Sequence, residues 1–223
     1  MGEFVRLHAA DGHELGAYVA RPEGEPIAGL VVIQEIFGVN RHIRSMTDQY
    51  AEAGFLAVAP ALFDRVERGV ELGYDGEDRQ KAMSFMPKLD VESMNLDTDA
   101  AVAYARAQTG KKTGIVGYCL GGSIAWFAAM RGTVDAAVGY YGGLIAKFAE
   151  AELKAPVILH FGSKDTHIPE EHRAKIAAAH PEVPIYLYDA EHGFNCDQKS
   201  SFEPRSAALA RERSLAFLRD HLG

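Results

Sequence analysis

Apolar runs that are typical of buried strands alternate with helical patterns along nearly the whole chain, and this alternation constrains the fold more than any other feature. Two of the runs, AGLVVIQ (28–34) and TGIVGY (113–118), are rich in β-branched residues, as in strands buried on both faces. Strands that alternate with helices predict one mostly parallel sheet with helices on both of its faces. The sequence therefore favours an α/β fold.

The remaining elements can be placed from the same patterns. Further strands are predicted at 55–60, 136–142, 155–162 and 183–189, and helices at 42–53, 77–86, 92–108, 120–130, 169–179 and 203–221. FVRLHA and ELGAYVA flank Asp11-Gly12, which predicts a two-residue hairpin turn and an antiparallel pair at one edge of the sheet. The chain has no repeat, linker or break in composition, so residues 1–223 are expected to form a single domain.

Charge and cysteine content narrow the class of protein. A formal net charge of −8 argues against a nucleic-acid partner, which requires a basic face. Two cysteines cannot build a disulfide framework, and the N-terminus lacks the pattern of a signal peptide. The apolar stretches fall short of the roughly 18 residues that a membrane span needs. We expect a cytoplasmic monomer that acts on a small molecule.

One of the two cysteines lies where a strand should end and a helix should begin. Gly117-Tyr118-Cys119-Leu120-Gly121 has the form of a nucleophile elbow, in which glycines flank the nucleophile because larger side chains would clash with the adjoining strand and helix. The turn presents Cys119 above the sheet and directs the N–H of Leu120 toward an oxyanion. The alternative is a cysteine that packs as a small apolar residue.

An elbow requires an acid and then a histidine later in the chain. Asp165 follows the strand at 155–162 and His192 follows the strand at 183–189, at the sheet edge where ligand sites gather. Chain order and placement favour Cys119, Asp165 and His192 as a catalytic triad, with His167 as the nearest competitor. The other histidines fall on strands, helices or their ends: His8, His13, His42, His160, His172, His180 and His221.

Five short motifs distributed along the chain carry a resemblance to a known family. They are QEIFGVN (34–40), GYCLGG (117–122), AVGYYGG (137–143), the D…IP segment at 165–169 and GF after His192. With them the chain resembles the dienelactone hydrolases, a branch of the α/β-hydrolases, over nearly its whole length. The resemblance implies an α/β-hydrolase fold and gives Cys119, Asp165 and His192 the roles of nucleophile, acid and base.

The same resemblance implies a role for Glu35, which lies in the QEIFG motif. In the family, this glutamate keeps the thiol neutral until substrate displaces it, and it then takes the thiol proton. The oxyanion of the tetrahedral intermediate would accept hydrogen bonds from the N–H groups of Leu120 and Ile36. The reaction proceeds through a thioester, and no metal or organic cofactor is expected.

The chain departs from the family where the substrate carboxylate is held. Well-known members use two arginines, and the matching positions here are Cys196 and Lys81, with Arg79 close by. A lysine attracts a carboxylate as a point charge without the paired hydrogen bonds of arginine, and a cysteine does neither. A smaller or less acidic lactone, or an activated ester, therefore fits the altered pocket as well. The candidate apolar walls are Phe37, Phe85, Tyr141 and Phe194.

Two functions from different classes follow from these observations. The first is a carboxylic ester hydrolase of the carboxymethylenebutenolidase type, because the whole set of catalytic residues is present. The second is a non-catalytic ligand-binding protein or thiol sensor on the same fold, since a fold does not determine a function.

Overall fold

Eight strands form one sheet in the computed structural model, which describes residues 2–223. The strands are β1 (Glu3–His8), β2 (Glu14–Ala20), β3 (Gly29–Ile33), β4 (Leu56–Pro60), β5 (Thr113–Tyr118), β6 (Ala136–Tyr140), β7 (Val157–Gly162) and β8 (Ile185–Tyr188). The α-helices are α1 (Arg41–Glu52), α2 (Gly76–Phe85), α3 (Val91–Thr109), α4 (Leu120–Arg131), α5 (Glu170–Ala179) and α6 (Pro204–Leu222).

The strand order across the sheet is β1-β2-β4-β3-β5-β6-β7-β8. Strands β3 to β8 pair in parallel, and only β1 and β2 run antiparallel to their neighbours. Every residue of β3 to β7 is buried, which explains why these segments read as continuous apolar runs rather than alternating ones. The predicted mostly parallel sheet with an N-terminal antiparallel pair is confirmed.

The turn between β1 and β2 differs from the expected two-residue turn. Ala9 N–H donates to the carbonyl of His13 at 2.9 Å and so extends the ladder by one residue. Gly12 N–H donates to the carbonyl of Ala9 at 2.9 Å, and Gly12 has a φ of +88°. The loop is therefore Ala10–Gly12, a three-residue turn that ends in a left-handed residue. The prediction of a two-residue turn is wrong.

The helices begin and end close to their predicted positions because their caps are encoded locally. The Asn40 side chain accepts from Ile43 N–H at the start of α1, and the Asp90 side chain accepts from Ser93 N–H at the start of α3. Gly110 ends α3 in the left-handed conformation that favours glycine. A 3₁₀ turn at Leu62–Arg65 follows β4.

A chain of buried hydrogen bonds joins α6 to the second half of the sheet. Ser214 Oγ lies 2.7 Å from Tyr140 Oη and 3.0 Å from His160 Nε2, and His160 Nδ1 lies 2.8 Å from Tyr188 Oη. Burial, with a smaller contribution from Arg213, lowers the pKa of His160 to about 3, so this ring is neutral. These bonds hold β6, β7 and β8 in place beneath the residues that follow them.

The parallel arrangement brings the functional candidates to one edge of the sheet. Glu35 follows β3, Cys119 follows β5, Asp165 follows β7 and His192 follows β8. The carboxyl ends of parallel strands share an edge, so residues distant in sequence become neighbours there. Across residues 2–223, no helix is long and apolar enough to cross a membrane.

Candidate active site

Cys119 occupies the sharp turn between β5 and α4. Its φ of 56° is a left-handed value that a residue with a side chain rarely adopts. The conformation is held because Cys119 N–H donates to the carbonyl of Tyr140 at 3.0 Å. Strain of this kind persists only where the surroundings enforce it, and it places the partly exposed thiol at the N-terminus of α4.

Backbone atoms pack directly against the three glycines around this turn. A Cβ on Gly117 would lie 1.9 Å from the carbonyl oxygen of Gly121, and a Cβ on Gly121 would lie 2.5 Å from that of Ile33. A Cβ on Gly122 would lie 2.4 Å from the carbonyl oxygen of Tyr140. These neighbours are main chain and cannot rotate away. The expectation that Gly117 and Gly121 provide clearance is confirmed.

Asp165 and His192 meet beyond the ends of β7 and β8. His192 Nδ1 lies 2.7 Å from Asp165 Oδ2, while Asp165 Oδ1 accepts from the backbone N–H of His167 at 2.8 Å. Burial favours the neutral acid, but the hydrogen bonds from His192 and His167 hold the pKa of Asp165 below its usual value. Asp165 is therefore a carboxylate with both oxygens engaged, suited to orienting the ring of His192.

Cys119 is close enough to His192 to influence the charge of its ring. Burial disfavours the charged ring, yet the interactions with Asp165 and Cys119 raise the pKa of His192 to about 10. His192 is therefore hydrogen-bonded to Asp165 and interacts with the neighbouring Cys119. His167, the competitor, has a ring that is 66% exposed and lies 3.6 Å from Asp165 Oδ1.

The first turn of α4 contains one N–H group without an internal acceptor. Gly121 N–H donates to the carbonyl of Gln34 at 3.1 Å, and Gly122 N–H donates to that of Cys119 at 3.0 Å. Within residues 2–223, the N–H groups of Leu120 and Ile36 have no acceptor. Both groups are therefore free to donate to a ligand, as the predicted oxyanion hole requires.

Glu35 is a buried carboxylate with one oxygen paired and one free. Its Oε1 accepts from Lys199 Nζ at 3.2 Å, whereas Oε2 is buried and has no partner among residues 2–223. Burial, followed by the negative charges of Glu35, Cys196 and Cys119, raises the pKa of Tyr141 well above its usual value.

Lys199 is a functional candidate that the sequence analysis missed. Its side chain is only 18% exposed, and Nζ lies 5.4 Å and 5.3 Å from the ring centroids of Phe37 and Tyr74. A Cβ on Gly193 would lie 2.7 Å from this Nζ, so the lysine packs over the residue next to His192. Its sequence context, CDQKSS, gave no sign of burial, because a lysine in a polar loop is normally solvated.

Two of the predicted apolar walls lie beside His192. The Tyr141 ring is 5.0 Å from the His192 ring and 5.5 Å from the Phe194 ring, and both aromatic side chains are buried. Phe37 is buried as well and packs edge-on against Tyr74 at 4.5 Å. Phe37 therefore lies beside Lys199, and Tyr141 lies between the rings of His192 and Phe194.

The predicted residues of α2 have other partners. Lys81 is exposed and pairs with Glu67 at 2.6 Å, and Arg79 is exposed on the same helix. Phe85 is buried, but it packs against Phe63 with ring centroids 5.4 Å apart. In the part of the chain that the structure describes, neither basic side chain bonds to the residues around the thiol.

Cys196, which occupies the position of a family arginine, is fully buried. Burial and then the negative charge of Glu35 raise the pKa of Cys196 to about 12, although a hydrogen bond with Tyr74 opposes the shift. A thiol of this kind is neutral at physiological pH and is not a competing nucleophile.

Comparison with known proteins finds relatives that match nearly the whole chain. The family model described as "Dienelactone hydrolase family" matches residues 15–222. Carboxymethylenebutenolidases of Pseudomonas putida and Pseudomonas knackmussii are each 38% identical over 225 residues, covering 97% of this chain and 95% of theirs. The solved structure of a candidate dienelactone hydrolase from Klebsiella pneumoniae subsp. pneumoniae is 30% identical, with a TM-score of 0.82 over 96% of this chain and 98% of its own.

Proposed function

Since this chain belongs to the dienelactone hydrolase family, we propose that it hydrolyses a lactone or a carboxylic ester through a thioester on Cys119. The chain is a hydrolase with the α/β-hydrolase fold, like the carboxymethylenebutenolidases that it resembles. The observation that carries the proposal is the position of Cys119 on a strained strand–helix turn, next to the hydrogen-bonded pair of His192 and Asp165.

The first half of the proposed reaction forms the thioester. The thiolate sulfur of Cys119 attacks the substrate carbonyl carbon, and the carbonyl π electrons move onto oxygen. That oxyanion accepts hydrogen bonds from the free N–H groups of Leu120 and Ile36. Collapse of the intermediate breaks the bond to the ring or alkoxy oxygen, which takes a proton from the His192 imidazolium. For a lactone, the ring opens and both ends of the product stay on one molecule.

The second half releases the acid. Neutral His192 removes a proton from water, whose oxygen attacks the thioester carbonyl, and the same two N–H groups stabilise the second oxyanion. Collapse expels the Cys119 thiolate beside the imidazolium, and the thiolate then takes back the proton that Glu35 has held since the first step. Throughout, Asp165 keeps the proton-carrying Nδ1 of His192 directed toward itself, so that Nε2 faces the reacting atoms.

Glu35 supplies the base that first ionises the thiol. A thiolate that was permanently paired with imidazolium would react with oxidants in the absence of substrate. We propose that Lys199 holds Glu35 while the site is free, and that substrate binding turns Glu35 so that it accepts the Cys119 proton. Two observations support this role: Glu35 is buried, and its Oε2 has no partner among residues 2–223.

The substrate class follows from Lys199 rather than from the helix α2. Lys199 is the partly buried cation next to Glu35, whereas Lys81 is exposed and engaged with Glu67. A lactone or ester that carries a carboxylate can pair with Lys199, although an ammonium group cannot form the two parallel hydrogen bonds that an arginine guanidinium forms with a carboxylate. We therefore propose an acidic lactone as the substrate, bound less tightly than a pair of arginines would bind it.

The proposal is tested with two kinds of substrate. Purified enzyme should give a burst of p-nitrophenol from p-nitrophenyl acetate, and Cys119→Ala should remove the burst while the protein stays folded. A folded Cys119→Ala variant with normal turnover would overturn the assignment, and a wild type without turnover would favour a binding protein or thiol sensor.

A panel of lactones with and without a free carboxylate then tests the substrate class. Lys199→Met should raise KM for carboxylate-bearing lactones by about ten- to a hundredfold, since a charge-assisted hydrogen bond contributes about 1.5–3 kcal/mol. The matched control, Lys81→Met, removes a lysine outside the site and should leave KM unchanged. Equal effects of both variants would contradict the proposed role of Lys199.

A further inference from the structure

The second cysteine belongs to a cluster of potential metal ligands that hydrolysis does not use. Cys196 Sγ, a ring nitrogen of His42 and a carboxylate oxygen of Asp197 all lie within 4.8 Å of one another. The closest pair is His42 Nδ1 and Asp197 Oδ1, at 3.0 Å. His42 is on α1, whereas Cys196 and Asp197 belong to the segment between β8 and α6.

The combination of donor atoms matches one class of cation. Thiolate sulfur, imidazole nitrogen and carboxylate oxygen are the ligands of zinc, at about 2.3, 2.0 and 2.0 Å from the metal. A thiolate and a carboxylate together neutralise a divalent ion, so binding would leave no net charge at this partly buried site. Hard cations such as Mg²⁺ prefer oxygen ligands alone and do not suit a site built on sulfur.

The surroundings of the three side chains also suit a metal. His42 and Cys196 are buried, whereas the Asp197 side chain is 60% exposed and opens a path from solvent.

His42 itself is incompletely satisfied by the protein. Its Nε2 is buried and has no hydrogen-bond partner among residues 2–223. A buried polar atom without a partner costs about 1–3 kcal/mol, so such a ring is usually completed by a water, an ion or a ligand. This observation is independent of the distances within the cluster, and it means that the ring of His42 has a nitrogen available to a bound group.

We propose that Cys196, His42 and Asp197 form a site for a thiophilic divalent cation such as Zn²⁺, separate from the Cys119 centre. Binding forms a metal–sulfur bond and releases the thiol proton of Cys196 to solvent, with no change of oxidation state. The cation links α1 to the segment that carries His192 and Lys199. Its expected effect is to stabilise that segment, and hydrolysis through the thioester does not require it.

The first test uses the fact that the chain has only two cysteines. In Cys119→Ala, Cys196 is the sole thiol, so a thiolate-to-cobalt charge-transfer band on adding Co²⁺ reports Cys196 alone. We expect this band to saturate at one equivalent of Co²⁺ and to disappear when Zn²⁺ is added. Co²⁺ binding without the band, or no binding, would overturn the proposal.

The second test measures Zn²⁺ affinity by competition with a chromophoric chelator, again in the Cys119→Ala background. Adding Cys196→Ser or His42→Gln should weaken binding by at least about tenfold, because ligands matter at least as much as the groups around them. His167→Ala is the matched control, since Asp165, His167 and His192 form the other group of potential ligands. Loss of binding in that control alone would place the metal at the wrong cluster and refute the proposal.

A folding defect cannot imitate these results. Circular dichroism melts of each variant without metal establish that it is folded before affinity is measured. The cobalt band is recorded with the proposed site unaltered, so it decides the matter even if Cys196→Ser or His42→Gln proves unstable. In the Cys119→Ala protein, Zn²⁺ should raise the melting temperature, and no rise at saturating Zn²⁺ would contradict the proposed link between α1 and the segment.

Discussion

Replacing Lys199 with methionine removes the cation that pairs with the buried carboxylate of Glu35. Glu35 is 1% exposed and Lys199 is 18% exposed, so the pair is largely shielded from solvent. Removing one partner of a buried ion pair typically costs about 3–5 kcal/mol, because it leaves an uncompensated charge. Methionine retains much of the side-chain volume, so the packing against Phe37 and Tyr74 changes little.

Protonation sets an upper limit to this cost. A carboxyl group in the unfolded chain has a pKa of about 4.3, so the neutral acid costs about 1.36 kcal/mol for each pH unit above that value. At pH 7 the limit is about 3.7 kcal/mol, and at pH 5 it is about 1 kcal/mol. The partial exposure of Lys199 admits some water, so we expect a loss of about 2–3.5 kcal/mol at pH 7 that shrinks as the pH falls.

Urea unfolding followed by circular dichroism measures the loss of stability at pH 7 and at pH 5. The double variant Lys199→Met with Glu35→Gln should recover most of the stability at pH 7, since it removes the unpaired charge. The exposed pair of Lys81 and Glu67 provides the matched control, and Lys81→Met should cost less than about 1 kcal/mol at either pH. A Lys199→Met loss that is as small as the control, or independent of pH, would refute the reasoning.

Three further changes test the site. Gly121→Val should destabilise the protein by at least about 1–3 kcal/mol, because even its Cβ would lie 2.5 Å from a backbone oxygen, and an unchanged melting temperature would contradict the elbow. Glu35→Gln keeps the size of the side chain but cannot accept a proton, so kcat on a lactone should fall steeply with a smaller change in KM; near-normal kcat would leave Glu35 only a structural role. Asp165→Asn should lower the pKa of His192 from about 10, as followed by nuclear magnetic resonance. Because that pKa is raised, the stability difference between wild type and Asp165→Asn should be full below about pH 6.5 and shrink as the pH rises toward 10, and melts at pH 6 and pH 9.5 that differ equally would count against the pair.

The fold was predictable because its strongest determinants are local. Strands β3 to β7 are buried on both faces, so each reads as an unbroken apolar run, and caps such as Asn40 and Gly110 mark the helix ends. The turn after β1 was predicted with the wrong length, because Asp11-Gly12 fits both a two-residue turn and a three-residue turn with Gly12 left-handed.

Some residues of the candidate site were likewise predictable from local sequence patterns, whereas others were not. Cys119 stands in a local glycine pattern, and Asp165 and His192 follow strands, so their proximity could be anticipated. The contact of Lys199 with Glu35 spans 164 residues of sequence, and that of His42 with Asp197 spans 155. Such contacts depend on how a long loop folds back over the sheet, and no pattern in the neighbouring sequence predicts them.

The main-chain contacts of the glycines around Cys119 also limit which substitutions this turn can tolerate during evolution. A one-base change in the codon turns cysteine into serine, and the turn admits that substitution because the two side chains differ in a single atom and this one is partly exposed. The flanking Gly117 and Gly121 have no such freedom, since any added carbon meets a backbone carbonyl. In descendants of this chain, a substitution of the nucleophile is therefore more easily tolerated than a substitution of either glycine beside it.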